Sequence, residues 1–327
     1  MQITFKNVGQ GDSIILEWSR NNEPRLGIVD CHIFQNTNPT VRHLQKVGCR
    51  KIDFIILSHP HDDHFSGMLE LLEFCEKQDI PILRFMHSAA IHPQYLNFAN
   101  INSSDQELLQ KIFQKVKALY EKKLIRNAGY ISQDTIIPLY DAFSIKVLSP
   151  SSPEVEKFIK TIGHYGDKSY AECSIAANLL STVLLISNEK IGCLLTADAE
   201  KSTFKRLKDR HSDEFESLLM IGQIPHHGSK SNHYPPFWSN LKRTQNVVAA
   251  VSAGVNNKYG HPNSDVVSDF STWGYETFST NQFVNFTKPS QAKTSLILDT
   301  ISKLIAESEQ NDLTFEMLND SVSTIWT

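Results

Sequence analysis

Nowhere in the 327 residues do eighteen or so apolar residues run together, and the opening MQITFKNVGQGDSIILEW carries no basic leader ahead of a long apolar core. Neither a membrane anchor nor an export signal is expected, and the chain reads as cytoplasmic. Cysteine is scarce as well. Cys31, Cys49, Cys75, Cys173 and Cys193 are odd in number and lack zinc-type pair spacing, which argues against a disulfide framework and fits small buried hydrophobes in a reducing compartment. Nor is there an excess of positive charge: 32 Lys and Arg against 36 Asp and Glu leave a formal net charge of −4, so contact with nucleic acid would need a local patch. Repeats, low-complexity tracts and obvious linkers are also missing.

With 40% hydrophobic and 21% charged residues, the composition is that of a globular chain able to bury a sizeable core. Short β-rich runs recur at residues 3–5, 13–17, 26–29, 54–57, 82–87, 143–148, 182–186, 191–195, 218–224 and 247–251. Most are apolar throughout, as strands buried on both faces are. Helical patterns fall between them at 41–47, 68–77, 201–209 and 264–272. The clearest spans 105–126, where Leu108, Leu109, Ile112, Phe113, Val116 and Leu119 share one face. Interleaved strands and helices predict a layered α/β domain with helices outside the sheets. Residues 150–172, rich in Ser, Pro and Gly, read as an irregular loop, and the tail after residue 287 as a final strand and helix.

Directly behind the apolar run 54–57, the sequence HPHDDH sets three histidines and two aspartates in six positions, His59 to His64. On the loop leaving a buried strand, His59 and His61 can turn toward one point while Asp63 and His64 face a second. Imidazole mixed with carboxylate suits zinc, manganese or iron, and two such pairs this close suit a two-metal site.

The pattern H-x-H-x-D-H resembles the first metal motif of the metallo-β-lactamase-fold hydrolase superfamily, with Asp62 at its variable position. The resemblance implies an αββα four-layer sandwich and further ligands along the chain. LLTADAE resembles the LFTGD ending of a strand in that superfamily, with Ala197 in place of glycine, and implies that Asp198 bridges two metals. The PHHGS segment at 225–229 implies His226 as the last ligand. The implied ligand set is therefore His59, His61, Asp63, His64, Asp198 and His226, holding two divalent ions, zinc or manganese.

VGQGDSIIL, IPHHGSKSNH and VSAGVNNKYGHP resemble, in order and wording, segments of the soluble metallo-β-lactamase-like domain of the competence protein ComEC. That resemblance covers about residues 1–285, read as one hydrolase domain, with 286–327 as an extension packed on it. It implies a metal-dependent nuclease whose substrate is DNA, single strands favoured, or RNA, hydrolysed by metal-activated hydroxide. In this reading Asp63 orients or deprotonates the water, and His261 binds a phosphate oxygen or protonates the leaving group. Lys230, with the amides of Gly228 and Ser229, offsets charge on the phosphate. Asp12 of the GQGD segment is placed beside the metals without being a ligand. Lys111, Lys115, Lys122 and Arg126, and Lys201, Lys205, Lys208 and Arg210, are candidate strand guides on two helices.

Two features depart from the pattern. Where many superfamily members carry a third histidine, Asn178 stands nearest, which leaves one metal short of a ligand and weakly held. Membrane-channel segments are lacking, so this chain alone does not import DNA. Rival readings are a small-molecule phosphoester or ester hydrolase, since phosphorylcholine esterases share the HHGS element, and a metal-binding pseudoenzyme serving as an assembly partner.

Overall fold

A computed structural model of the protein describes residues 1–88, 103–140, 143–163, 170–254, 257–280, 312–317 and 322–326. The first half runs β1 (Gln2–Phe5), β2 (Ile14–Arg20), β3 (Glu23–Val29), α1 (Pro39–Lys46), β4 (Phe54–Leu57), α2 (Asp62–Phe65), α3 (Met68–Lys77), β5 (Ile82–His87), α4 (Ser103–Glu121) and β6 (Ile125–Tyr130). The second half runs β7 (Ile136–Tyr140), β8 (Phe143–Ser149), α5 (Ser152–Gly163), α6 (Tyr170–Ala177), β9 (Val183–Ser187), β10 (Ile191–Leu195), α7 (Lys201–Arg210), β11 (Leu218–Gln223), α8 (Pro235–Trp238), β12 (Arg243–Val251), α9 (Ser264–Thr272) and β13 (Glu276–Ser279). Strands β14 (Leu313–Met317) and β15 (Val322–Trp326) follow.

Two sheets result, one of eight strands in the order β15-β14-β1-β2-β3-β4-β5-β6 and one of seven in the order β13-β12-β11-β10-β9-β8-β7. In each, an antiparallel part gives way to a parallel one: β3 to β6 run parallel in the first sheet and β10 to β13 in the second. The period of two along each strand explains why the parallel runs are apolar throughout. In β4, Phe54 and Ile56 enter the core between the sheets, whereas Ile55 and Leu57 pack beneath α1, α3 and α4. In the second sheet Leu184 and Ile186 face the inter-sheet core, while Val183 and Leu185 join the layer under α7, α8 and α9. Helices, sheet, sheet, helices is the four-layer sandwich expected from the sequence. Phe315 of β14 meets Phe5 edge-on at 6.1 Å within its sheet and Phe278 of β13 at 5.8 Å across the sandwich, so the late strands help seal the core.

The structure corrects two expectations. The long helix stops at Glu121 rather than 126. Lys123 takes a left-handed backbone, Leu124 N–H returns to the carbonyl of Leu119, and Ile125–Tyr130 becomes a strand whose residues past Ile125 are exposed, so it has no apolar signature. The stretch 150–172 is not loop throughout. Glu154 accepts hydrogen bonds from Ser151 N–H and Oγ at 2.7 Å each, a capping-box arrangement that starts α5, and α6 begins at Tyr170. The tail read as a final strand and helix shows two strands, β14 and β15, in its described part, while residues 281–311, which include the start of the C-terminal extension, lie outside the described residues.

Among the described residues, no helix is long and apolar enough to cross a membrane.

Candidate metal centre

The parallel strands of both sheets release their loops at one edge of the sandwich. From the first sheet, β3 ends at Asp30 and β4 leads through Ser58 into α2. From the second, β10 leads to Asp198, β11 to His226 and His227, and β12 to Ser252. Carboxyl ends of parallel strands hold sites because the strands are rigid and their loops are free to converge.

Three groups of donor atoms converge there, one of them, Asp12, Asp30 and His64, already joined by the His64–Asp30 hydrogen bond. Asp63, His64, Asp198 and His227 each bring one atom within 4.8 Å of all the others, and so do His59, His61 and Asp198. Asp198 belongs to both of these and divides its oxygens between them. Its Oδ1 lies 3.5 Å from His64 Nε2 and 3.6 Å from His227 Nε2, and its Oδ2 3.7 Å from His59 Nε2 and 3.4 Å from His226 Nε2. Asp63 Oδ2 completes the first group at 3.3 Å from His227 Nε2. In the second, His59 Nε2 and His61 Nδ1 are 3.1 Å apart.

Other buried groups fix the imidazole orientations. His64 Nδ1–H donates to Asp30 at 2.7 Å, and His227 Nδ1–H donates to the Ser252 carbonyl at 2.6 Å. Asp30 also receives Ser58 N–H at 2.7 Å and Ser58 Oγ–H at 2.6 Å, which leaves Ser58 Oγ to accept from His59 Nδ1–H at 3.2 Å. One aspartate thereby orients two histidines, one directly and one through a hydroxyl, and leaves their Nε2 lone pairs facing inward.

The consequence is a set of buried polar atoms with no ordinary hydrogen-bond partner: His64 Nε2, His227 Nε2 and Asp198 Oδ1. Their nearest polar neighbours are one another and the Asp63 carboxylate. Two imidazole nitrogens and two carboxylate oxygens converging on one point is a donor set that fits a zinc- or manganese-class cation, so the residues present fit the metal. The second group offers three donors, with His226 Nε2 standing beside its Asp198 oxygen.

Electrostatics point the same way. Burial pushes His227 down, but the Asp198 and Asp63 carboxylates beside it prevail and carry its pKa up to about 9. His64 is likewise depressed by burial yet ends well above the usual histidine value because Asp30, Asp198 and Asp63 surround it. Without a cation the carboxylates hold protons on their histidines; a divalent ion can take the place of those protons.

Of the residues expected from sequence, His59, His61, Asp63, His64 and Asp198 come together in these groups. His226 stands beside Asp198 Oδ2, whereas its neighbour His227, which sequence reasoning passed over, supplies the nitrogen of the four-donor group. Both adopt left-handed backbones, φ 50° and 55°, as does Gly228. This consecutive strained turn decides which imidazole faces inward, and residue types alone do not encode it. Asn178 is buried on a short 3-10 turn, donates to Glu200 at 3.4 Å, and keeps an unpartnered Oδ1.

Asp12 accepts from Gln223 Nε2 at 2.7 Å, and Gln223 Oε1 accepts from the amides of Thr196 and Ala197. GQGD thus touches the metal loops through its backbone and through Gln223. Gly11 is obligatory there: a Cβ would stand 2.5 Å from the Asp63 carbonyl oxygen. Asp30 and Gln223 are the other contributors sequence reading missed; their signal was an acid directly following one apolar strand and an amide ending another.

Lys230 is exposed and pairs with Asp265. The amides of Gly228 and Ser229 are taken up by the carbonyls of Pro225 and His226, so the turn does not present them to a phosphate as expected. His261 is half-buried, and burial together with His227 and His226 lowers its pKa to about 4.

No family model matches the chain. ComE operon protein 3 of Bacillus subtilis is 23% identical over 235 residues, 72% of this chain and 24% of that protein, so the chain spans about a quarter of its curated relative's length. The metallo-β-lactamase-fold protein YhfI from Bacillus subtilis is similar at 12% identity and a TM-score of 0.43, covering 85% of this chain and 95% of that one. A long-form RNase Z from yeast is similar at 11% identity and a TM-score of 0.42, covering 92% of this chain and 43% of that one. By its layer order and its two mixed sheets, with the paired His and Asp groups at the strand ends, the chain has the metallo-β-lactamase fold.

Proposed function

We propose that the chain is a metal-dependent hydrolase, and specifically a phosphodiesterase acting on DNA, single strands before duplex. The observation that carries the reading is Asp198 placed between two donor groups, each of its oxygens turned to one of them. His64, His227, Asp63 and Asp198 would hold one divalent ion and His59, His61 and Asp198 another. Such a pair supplies Lewis acidity and water of lowered pKa at neutral pH.

The chain's own residues do the rest. Asp63, with a quarter of its side chain open to solvent, is held ionised against its burial by His64 and His227, so it is able to orient an attacking water or take its proton. His261, neutral at physiological pH, suits a hydrogen bond to a phosphate oxygen better than proton donation to a leaving group. Asp30 and Ser252 keep the histidines from turning. Preference for DNA is supported by the resemblance of GQGD, HHGS and KYGHP, the loops around the site, to the ComEC soluble domain. A single strand bends one phosphate into a recessed site without the cost of opening a helix. The helix guides weigh less: Lys115 and Lys122 are both tied to Glu76.

The test is a panel of labelled single-stranded DNA, duplex DNA and RNA beside bis-aryl phosphate and phosphocholine esters, with and without zinc or manganese, with His59→Ala and Asp63→Ala as controls. Metal-dependent cleavage of the single strand, falling as salt rises, is expected. Turnover of the small esters with every polynucleotide intact would replace the substrate assignment, and no turnover by metal-loaded protein would overturn the enzyme assignment in favour of a pseudoenzyme.

A further inference from the structure

Beyond the donor groups, aromatic rings lead outward from the metal centre. His226 lies 3.4 Å from Asp198 Oδ2; its ring is 6.1 Å from that of His261 at 37°, and His261 is 5.8 Å from Tyr259 at 33°. The row ends at the surface, where Tyr259 is 60% exposed, and the Lys258 ammonium sits 4.8 Å above its ring. An exposed tyrosine on a loop needs no function by itself. This one, however, is held in place. Asn257 accepts from the amides of Tyr259 and His261 at 3.1 and 2.9 Å, and donates to the carbonyls of Gly254, at 2.7 Å, and His261. Both side-chain ends of one asparagine thus fix the loop that presents the ring, so its position is set before any ligand arrives.

We propose that Tyr259 is a stacking platform for the nucleobase next to the phosphate at the metal centre, with Lys258 binding the adjoining phosphate; this rests on the phosphodiesterase reading above. The chemistry of the pair selects the ligand class. A planar, exposed ring accepts any base once the ammonium over it moves aside, because every base has a π-face, and that ammonium supplies the phosphate contact that a nucleotide needs beside its base. Lys258 leaves the ring for that phosphate at little cost, since an exposed cation–π contact is weaker than a base stacked on the same ring. The same ammonium disfavours a choline headgroup, which would bring a second positive charge over a ring already occupied by one. The His261 imidazole between platform and metal centre lies on the path from base to phosphate. Loss of the ring therefore affects recognition of bases and leaves the donor groups in place.

The experiment compares a single-stranded oligonucleotide with a strand of equal length in which every base is replaced by an abasic tetrahydrofuran residue. The readout is the ratio of their kcat/KM values in wild type, Tyr259→Ala and Tyr259→Phe. The ratio favouring the base-bearing strand should fall about tenfold in Tyr259→Ala and be kept in Tyr259→Phe, which retains the ring. A ratio unchanged in Tyr259→Ala would overturn the platform. Fluorescence anisotropy of both strands with metal-free protein reads the same discrimination without chemistry. If no strand is cleaved but Tyr259→Ala still erases the binding preference, the phosphodiesterase reading fails and the platform stands. If neither assay shows a base preference in wild type, the platform fails.

Discussion

Asp30 and His64 meet at 2.7 Å in a wholly buried contact, and this hydrogen bond decides which nitrogen of His64 faces the metal centre. Asp30→Asn conserves the shape of the site. Its amide, however, still accepts from Ser58 and so turns an N–H toward His64 Nδ1, forcing the imidazole proton onto Nε2, where a ligand lone pair is needed. Affinity for zinc should fall about 10- to 100-fold. Competition against a fluorescent chelator measures this, and an affinity equal to wild type would refute the orienting role.

The two adjacent histidines separate by metal content. His227→Ala removes a nitrogen of the four-donor group and should lower bound metal by about one equivalent, whereas His226→Ala should keep it. Elemental analysis of folded protein, checked by circular dichroism, decides; the reverse outcome would return the ligand role to His226.

Metal-free protein should grow less stable as pH rises, contrary to the metal-loaded form. The folded pKa of His227, about 9, lies above its ordinary value of 6.5. Its contribution is therefore fully present below about pH 6.5 and lost as pH climbs through 9, and the raised pKa of His64 acts in the same direction. A bound cation replaces those protons and removes the dependence. Tm of the chelated protein should drop by several degrees between pH 6.5 and 9, with the loaded protein nearly flat; a chelated protein of constant Tm would contradict it.

Ala197 stands where the superfamily pattern has glycine, and its φ of 44° shows the cost of that exchange. A left-handed alanine is strained by about 1–2 kcal/mol, and glycine there would forfeit about 0.4–1 kcal/mol of unfolded-chain entropy. Ala197→Gly is expected to be neutral or stabilising by about 1 kcal/mol, while Ala249→Gly in the middle of β12 should cost about 1 kcal/mol or more. Denaturant unfolding of both variants compares them; equal losses would mean that the strain at Ala197 is not relieved.

The parts of the site legible in sequence are those where chemistry and spacing coincide. His59 to His64 follow a strand whose apolar run is unmistakable, and Asp198 follows another. What stayed hidden depends on backbone conformation or on distance along the chain. The choice between His226 and His227 follows from three successive left-handed residues, and Asp30 and Gln223 gain their roles from partners distant in sequence, among them His64 and Asp12, 34 and 211 residues away. In the fold, the core strands were readable from their two buried faces. Edge strand β6, exposed past Ile125, offered no apolar signature, and β7, whose exposed and buried residues alternate, is short and interrupted by Pro138.

The Gln223 bridge also constrains when the centre can exist. It clasps Asp12, 211 residues away in sequence, to the turn at Thr196 and Ala197, while each metal group mixes donors from both halves of the chain. A nascent chain that has emerged only as far as β6 carries His59, His61, Asp63 and His64 but neither Asp198 nor His227, so it offers metal only fragments of either coordination sphere. A complete donor group thus needs both sheets in place, so a tightly held ion would follow the docking of the sheets rather than nucleate it.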